Sequence, residues 1–213
     1  MPETLGYEDV AAMLLAAAER IKENRAYLSE LDSATGDGDH GTAVSKVATA
    51  ITETVQKNDG TCVKALLKDV GWAAMSTDAG STSPLYGSFL IGISEATPED
   101  GPIDCPTLAA MFESGCAKLR KNTKAELGNK TMIDALLPAV EAIRAAADRG
   151  KDIAEALADG AEAAIQGAEA TKEMKATFGR AKNIGERSIG HLDPGATSMS
   201  ILFTGLKEGL HNG

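Results

Sequence analysis

The sequence predicts an all-α protein on three observations. Apolar residues recur at helical spacing nearly from end to end, no segment alternates convincingly as a strand, and aromatic residues make up only 4% of a chain rich in Ala. Small side chains let helices approach closely, so helix-on-helix packing is the expected core. At 213 residues the chain suits one domain, residues 1–213, around a single core.

Eight helices are expected in order. Val10, Met13, Leu14, Ala17 and Ile21 mark the first, over roughly residues 7–30. Val44, Val47, Ile51 and Val55 mark the second, and Val63, Leu66, Leu67, Val70 and Ala74 the third. Leu85, Phe89, Leu90 and Ile93 give a fourth, and Leu108, Met111, Phe112 and Leu119 a fifth. The sixth runs from about Met132 through Leu136, Val140 and Ile143, with Pro138 expected to kink it. An Ala-rich stretch from Asp152 to about Thr171 is the seventh, and Met199, Leu202, Leu206 and Leu210 mark the eighth.

Composition excludes several function classes. A formal net charge of −10 argues against nucleic acid or an anionic membrane as the main partner. Cys62, Cys105 and Cys116 are scattered and include no CxxC pair, so neither a zinc site nor a disulfide framework is expected. No basic start leads into an apolar core and no 18-residue apolar run occurs, which makes the cytoplasm the expected location.

The connections are of two kinds. Asn58-Asp59-Gly60 and the segment 97–102 read as plain turns, whereas 32–42, 77–88, 121–131 and 179–198 are rich in Gly, Ser, Thr and Asp. If the helices alternate in direction, the connections after the first, third, fifth and seventh fall at one end. Those are the four unusual segments, so one composite site is expected at one rim of the bundle.

The most informative stretch is Gly36-Asp37-Gly38-Asp39-His40-Gly41-Thr42. With Asp32 it can gather three carboxylates on one loop, an oxygen-only ligand set of the kind Mg²⁺ takes beside phosphate. Gly41 and Thr42 then open a helix whose free N–H groups suit an anion. The competing reading is an Asp/Gly turn and a helix cap. Ala79-Gly80-Ser81-Thr82-Ser83-Pro84-Leu85 is a small-residue loop able to approach an oxyanion, or else a Ser-capped helix with Pro in its first turn. Gly128-Asn129-Lys130-Thr131 lacks the upstream glycine and strand of a P-loop, and Thr131 reads as a helix N-cap. The basic, glycine-punctuated segment from Gly179 to Ala196 offers Arg180, Lys182 and Arg187 to phosphates and places a tight turn at Asp193-Pro194-Gly195; a solvated loop is the alternative. His40 and His191 are phosphate hydrogen-bond donors or structural caps, and no Ser/His/Asp or Cys/His pairing suggests a nucleophile.

Together these segments resemble the ADP-binding L subunits of dihydroxyacetone kinases. The likeness rests on Gly36-Asp37-Gly38-Asp39-His40-Gly41, on Lys130-Thr131-Met132, and on the long run from Gly185 to Ser198. Fatty-acid kinase domains differ in both the first and last of these. The resemblance implies an eight-helix antiparallel barrel that binds ADP or ATP with two Mg²⁺ ions at its open rim. It places the metals on Asp32, Asp37 and Asp39, and nucleotide contacts on His40, Gly41, Thr42, Ala43, Ser81, Thr82, Thr123, Met132, Arg180, Asp193, Pro194 and Gly195. Arg180 is the implied catalytic residue, assisting at the transferred phosphoryl group. Implied partners are a K subunit that holds the sugar on a histidine and a phosphohistidine protein of the sugar phosphotransferase system; a homodimer is one oligomeric option. An ATP-dependent ketose kinase subunit, or a nucleotide-sensing module docking on a transcription factor, are the alternatives. Ala79 and Ser83 stand where the family usually has glycines, Thr123 replaces what is often Gly, and Asn129 replaces a usual Asp.

Overall fold

The computed structural model describes residues 3–58, 60 and 62–212. Its helices are α1 (Tyr7–Glu23), α2 (Arg25–Thr35), α3 (His40–Lys57), α4 (Val63–Met75), α5 (Thr82–Ala96), α6 (Cys105–Arg120), α7 (Ile133–Asp148), α8 (Ile153–Ala170) and α9 (Pro194–Asn212). Two 3₁₀ segments, Thr171–Glu173 and Arg180–Ser188, lie between α8 and α9. The all-α expectation holds, and among the described residues strand pairing is confined to an isolated bridge between Leu5 and Ile103.

The long first helix is a correction. It is two helices, because Asn24 leaves helical geometry (φ −91°, ψ 9°) while its side-chain amide donates to the Arg20 carbonyl at 2.8 Å. An Asn that satisfies a helical carbonyl from its own side chain competes with the backbone ladder. Helix starts elsewhere follow local chemistry. Asp104 accepts from Thr107 N–H at 2.9 Å to cap α6, and Asp152 and Glu155 form a reciprocal capping box on α8. Pro138 does not break α7, which continues as one element to Asp148. Asp59 of the turn expected at 58–60 lies outside the described residues.

Packing order closes a ring. α1 packs on α3, each helix from α3 to α8 packs on its successor, and α9 returns to α1. Eight helices therefore form the barrel, while α2 leans on α3 and α9 outside the ring. Phe89, Phe112 and Phe203 meet in its interior with ring centroids 5.5–6.4 Å apart, bringing α5, α6 and α9 together.

The closing seam depends on missing side chains. A Cβ on Gly205 would lie 2.4 Å from the Ala17 Cα, and one on Gly209 would lie 2.5 Å from the Met13 Cα. The backbones of α9 and α1 are thus in direct contact, and Arg20 bridges the seam with two 2.6 Å hydrogen bonds to Glu208. A similar contact joins α7 and α8. Pro138 has no N–H to give the Asp134 carbonyl, and Gly167 seats against that oxygen so closely that a Cβ would approach it to 2.1 Å.

Gly205→Ala is expected to destabilise the fold by about 1–3 kcal/mol, the usual cost of overpacking a core contact. Urea denaturation measures this. A change below about 0.5 kcal/mol, the range of an indifferent surface substitution, contradicts the seam.

Candidate functional site

The open end of the barrel carries a cleft of about 810 Å³. Its walls come from all four unusual segments: Asp32, Asp39, His40 and Thr42 from the first, with Ala43 just beyond it, and Gly80, Ser81 and Thr82 from the second. Thr123 from the third is joined by Met132 beside α7, and Arg180, Asp193, Pro194 and Gly195 come from the fourth. This size suits a nucleotide-like ligand rather than a single small anion.

Along one edge, Asp32, Asp37 and Asp39 each present a carboxylate oxygen within 4.8 Å of the others. The glycines explain how. A Cβ on Gly36 would meet an Asp32 carboxylate oxygen at 2.4 Å, and Gly38 adopts φ +77°, a region that side chains disfavour. Asp32 is buried and organises the loop, its Oδ2 accepting from the N–H groups of Asp39 and His40 at 2.9 and 3.2 Å. Asp37 and Asp39 are exposed, and the Arg180 guanidinium pairs with both of them. Three hard oxygen donors gathered at one point fit Mg²⁺, and a cation already answers their charge here.

His40 opens α3 and sits above a buried hydrogen-bonded chain. Ser198 donates to the Gly195 carbonyl at 3.0 Å and accepts from the Tyr86 hydroxyl at 2.9 Å. His40 Nε2 lies 2.9 Å from the Ser198 hydroxyl and extends this chain, the imidazole tautomer setting which of the two donates. Burial lowers the His40 pKa against the opposing pull of Asp32 and the Pro194 carbonyl. The imidazole is therefore held neutral, and α3, α5 and α9 are tied together beneath the cleft floor.

The second wall is a turn primed for an anion. Gly80 has φ +56° with open space around it, and Ser81 follows in right-handed geometry (φ −69°, ψ −16°) at the start of α5. Left-handed then right-handed residues form a backbone concavity of the kind that receives oxyanions. Ser83 turns away from the cleft, donating to the Thr77 carbonyl at 2.6 Å and accepting from Ala79 N–H at 3.2 Å. Its departure from the family's glycine thus pins the loop from behind rather than filling the phosphate side.

A further part of the lining is apolar on its face and charged behind it. Met132, Ile133, Leu85 and Pro194 border the cleft. Beneath them Asp134 accepts from Gly128 and Thr131 N–H at 2.5 and 2.7 Å. Asp193 accepts from Ala196 N–H at 2.7 Å and so caps α9. Burial pushes the Asp193 pKa up to about 7, only partly countered by the Ala196 hydrogen bond and by Lys130.

Several expectations change. Gly41 does not line the cleft; it is buried where a Cβ would meet the Arg25 carbonyl oxygen at 2.0 Å. Asp37 sits at the edge of the cleft rather than in its lining. Lys182, Arg187 and His191 also stay out of it. Asp193-Pro194-Gly195 is not a free turn but the cap and first turn of α9, and 180–188 is a kinked 3₁₀ segment with Gly185 at φ +59°. Thr131 is not the cap of α7: Met132 holds that position, and Thr131 Oγ1 accepts from Ile133 N–H at 3.3 Å. Asn129 closes its own loop by accepting from Glu126 N–H at 3.0 Å. Lys46 and Lys130 border the cleft without having been singled out as contacts; only the latter lay in a segment that drew notice.

This fold and cleft define a DAK2 domain, whose family model matches residues 34–208. The chain is 38% identical over 185 residues to the ADP-binding subunit DhaL of PEP-dependent dihydroxyacetone kinase 1 from Listeria innocua, covering 87% of each. It is 35% identical to the Escherichia coli DhaL subunit, over 83% of this chain and 84% of that one. Human triokinase/FMN cyclase is 33% identical over 87% of this chain, which spans 32% of that larger protein. The crystal structure of the dihydroxyacetone kinase of C. freundii shares the fold with a TM-score of 0.74 at 24% identity, over 93% of this chain and 34% of that one. The chain belongs to the family of dihydroxyacetone kinase L subunits, and hence to the phosphotransferases.

Asp193 gives the site a pH signature. Because its folded pKa is raised above the usual carboxylate range, its stabilising contribution is full in acid and is lost as pH rises through about 7. Melting curves from pH 5 to pH 8 should therefore fall more steeply for the native protein than for Asp193→Asn. Parallel curves contradict the burial of an ionisable carboxyl here.

Proposed function

We propose that this chain is the nucleotide-carrying, phosphoryl-transfer subunit of a dihydroxyacetone kinase, acting on dihydroxyacetone or a similar short ketose held by a separate K subunit. The observation that carries the reading is the meeting of the Asp32, Asp37 and Asp39 carboxylates at one edge of a four-loop cleft that also has an apolar lining at Leu85, Met132, Ile133 and Pro194. Phosphates belong at the charged edge, with the Ser81 turn and the α3 N-terminus, and the adenosine portion belongs against Met132 and Pro194.

Asp32, Asp37 and Asp39 would hold two Mg²⁺ ions, leaving a formal +1 before a polyphosphate arrives. Bound Mg²⁺ supplies charge neutralisation on the transferred phosphoryl group. The chain's own residues position that group. Backbone N–H groups at 80–81 and at the start of α3 orient its oxygens, while His40, bonded to Ser198, holds the floor beneath them. Arg180 leaves the carboxylates and meets the anionic oxygens bidentately.

The phosphoryl donor is best read as a phosphohistidine protein that recharges bound ADP. Support comes from relatives named PEP-dependent in Listeria and Escherichia and PTS-dependent in Lactococcus lactis, each matched over most of its length. Under this reading the domain works in the cytoplasm as one nucleotide-binding unit, 1–213. Among the described residues no helix is long and apolar enough to cross a membrane.

Calorimetric titration with ADP and Mg²⁺ tests the site. Asp37→Asn should weaken binding by about tenfold or more while leaving the melting temperature unchanged or raised, since the residue is exposed in a crowded carboxylate cluster. Native-like affinity in that variant removes the metal assignment. The purified chain alone should not turn over dihydroxyacetone with ATP. Turnover without a partner would show that the sugar site lies in this chain.

A further inference from the structure

Lys130 is the residue of the cleft that stability alone would not select. Its backbone adopts φ +61°, and it is the one residue other than glycine in that region among those described. Its side chain is buried, the residue being 1% exposed, and burial lowers the ammonium pKa more than Asp193 and Asp134 raise it. Backbone strain and charge desolvation therefore fall on one position, and such strain persists where surrounding structure imposes it.

Its bonds go to the segments behind the cleft wall. Nζ donates to the carbonyl of Thr171, just past α8, and to that of His191, just before α9, each at 2.5 Å. Thr171 Oγ1 in turn accepts from Asp193 N–H at 2.9 Å. The Lys130 backbone belongs to the third rim loop, two residues before Met132. Gly195 lies beside Met132, a Cβ built on it reaching van der Waals contact with Met132 N at 3.4 Å. One side chain thus fastens the third rim loop, the end of α8 and the entry to α9 together.

We propose that Lys130 is a positioning residue that sets the Met132 and Pro194–Gly195 walls at the spacing that receives the nucleoside of ADP, without touching the phosphates. The proposal rests on the nucleotide reading of this cleft. It divides the site into a metal-and-phosphate edge independent of Lys130 and a nucleoside wall that depends on it.

The test compares ADP with inorganic pyrophosphate, each titrated with Mg²⁺ into the native protein and Lys130→Met. Pyrophosphate probes the phosphate edge alone. ADP affinity should fall by roughly tenfold or more, as expected for lost charged hydrogen bonds, while pyrophosphate affinity stays within about twofold. The ADP-to-pyrophosphate ratio is a readout that general loosening of the fold does not move selectively. Lys130→Gln, whose amide still donates to one carbonyl, should give an intermediate ratio and serves if the Met variant does not fold. Unchanged ADP affinity overturns the proposal, and so does a parallel loss for both ligands. If the native protein fails to bind ADP at all, the nucleotide reading fails first and this inference with it.

Discussion

Everything at the functional end depends on the backbone contact between α9 and α1. The ring can close only because Gly205 and Gly209 place no atom between the two helices. Closure fixes which ends of the helices face each other. It therefore decides that the segments after α2, α4, α6 and α8 share one rim. The carboxylate loop and the Asp193 cap of α9 lie far apart in sequence, yet the chain from Asp32 through His40 and Ser198 to Gly195 runs in unbroken hydrogen bonds across that rim. A helix bundle with a looser seam would still bury its apolar faces, but would not hold these segments in register.

The rim shows how an acidic protein can receive an acidic ligand. With a net charge of −10, general attraction is absent, and recognition falls to local features. Available for it are backbone donors left over at helix starts and one exposed guanidinium, beside a carboxylate triad whose oxygens suit a metal. Arg180 is central to the balance, since its single charge pairs with both Asp37 and Asp39. Behind the apolar wall the logic reverses. Lys130, Asp134 and Asp193 are buried charges whose hydrogen bonds go almost wholly to backbone groups, so they hold loops in place rather than face solvent.

Much of this was legible in the sequence, for physical reasons that also mark where reading stopped. Helical periodicity located every barrel helix because each buries one face against two neighbours. Gly, Ser and Asp enrichment located the rim, since those residues serve turns, caps and anions alike. The break at Asn24 was not legible: the apolar spacing runs through it, and only the side-chain bond to Arg20 ends α1 there. Asp193-Pro194-Gly195 looked like a turn because its residues suit turns and helix starts equally, and apolar spacing becomes clear only from Met199. That Gly41 leaves no room for a side chain was not legible either, since it requires knowing where the Arg25 carbonyl lies. Lys130 was invisible as a clamp, because nothing in a sequence marks a lysine as buried or left-handed.

The central claim is that the three carboxylates hold the metal that anchors a nucleotide's phosphates in this cleft. A crystal of the protein grown with ADP and Mn²⁺, measured for anomalous scattering at the manganese edge, tests it most directly. Manganese should lie between Asp32, Asp37 and Asp39 in contact with phosphate oxygens, with the Arg180 guanidinium withdrawn from Asp37 and Asp39. ADP seated in the cleft with no metal at the carboxylates, or manganese bound there while the nucleotide lies elsewhere, would contradict it.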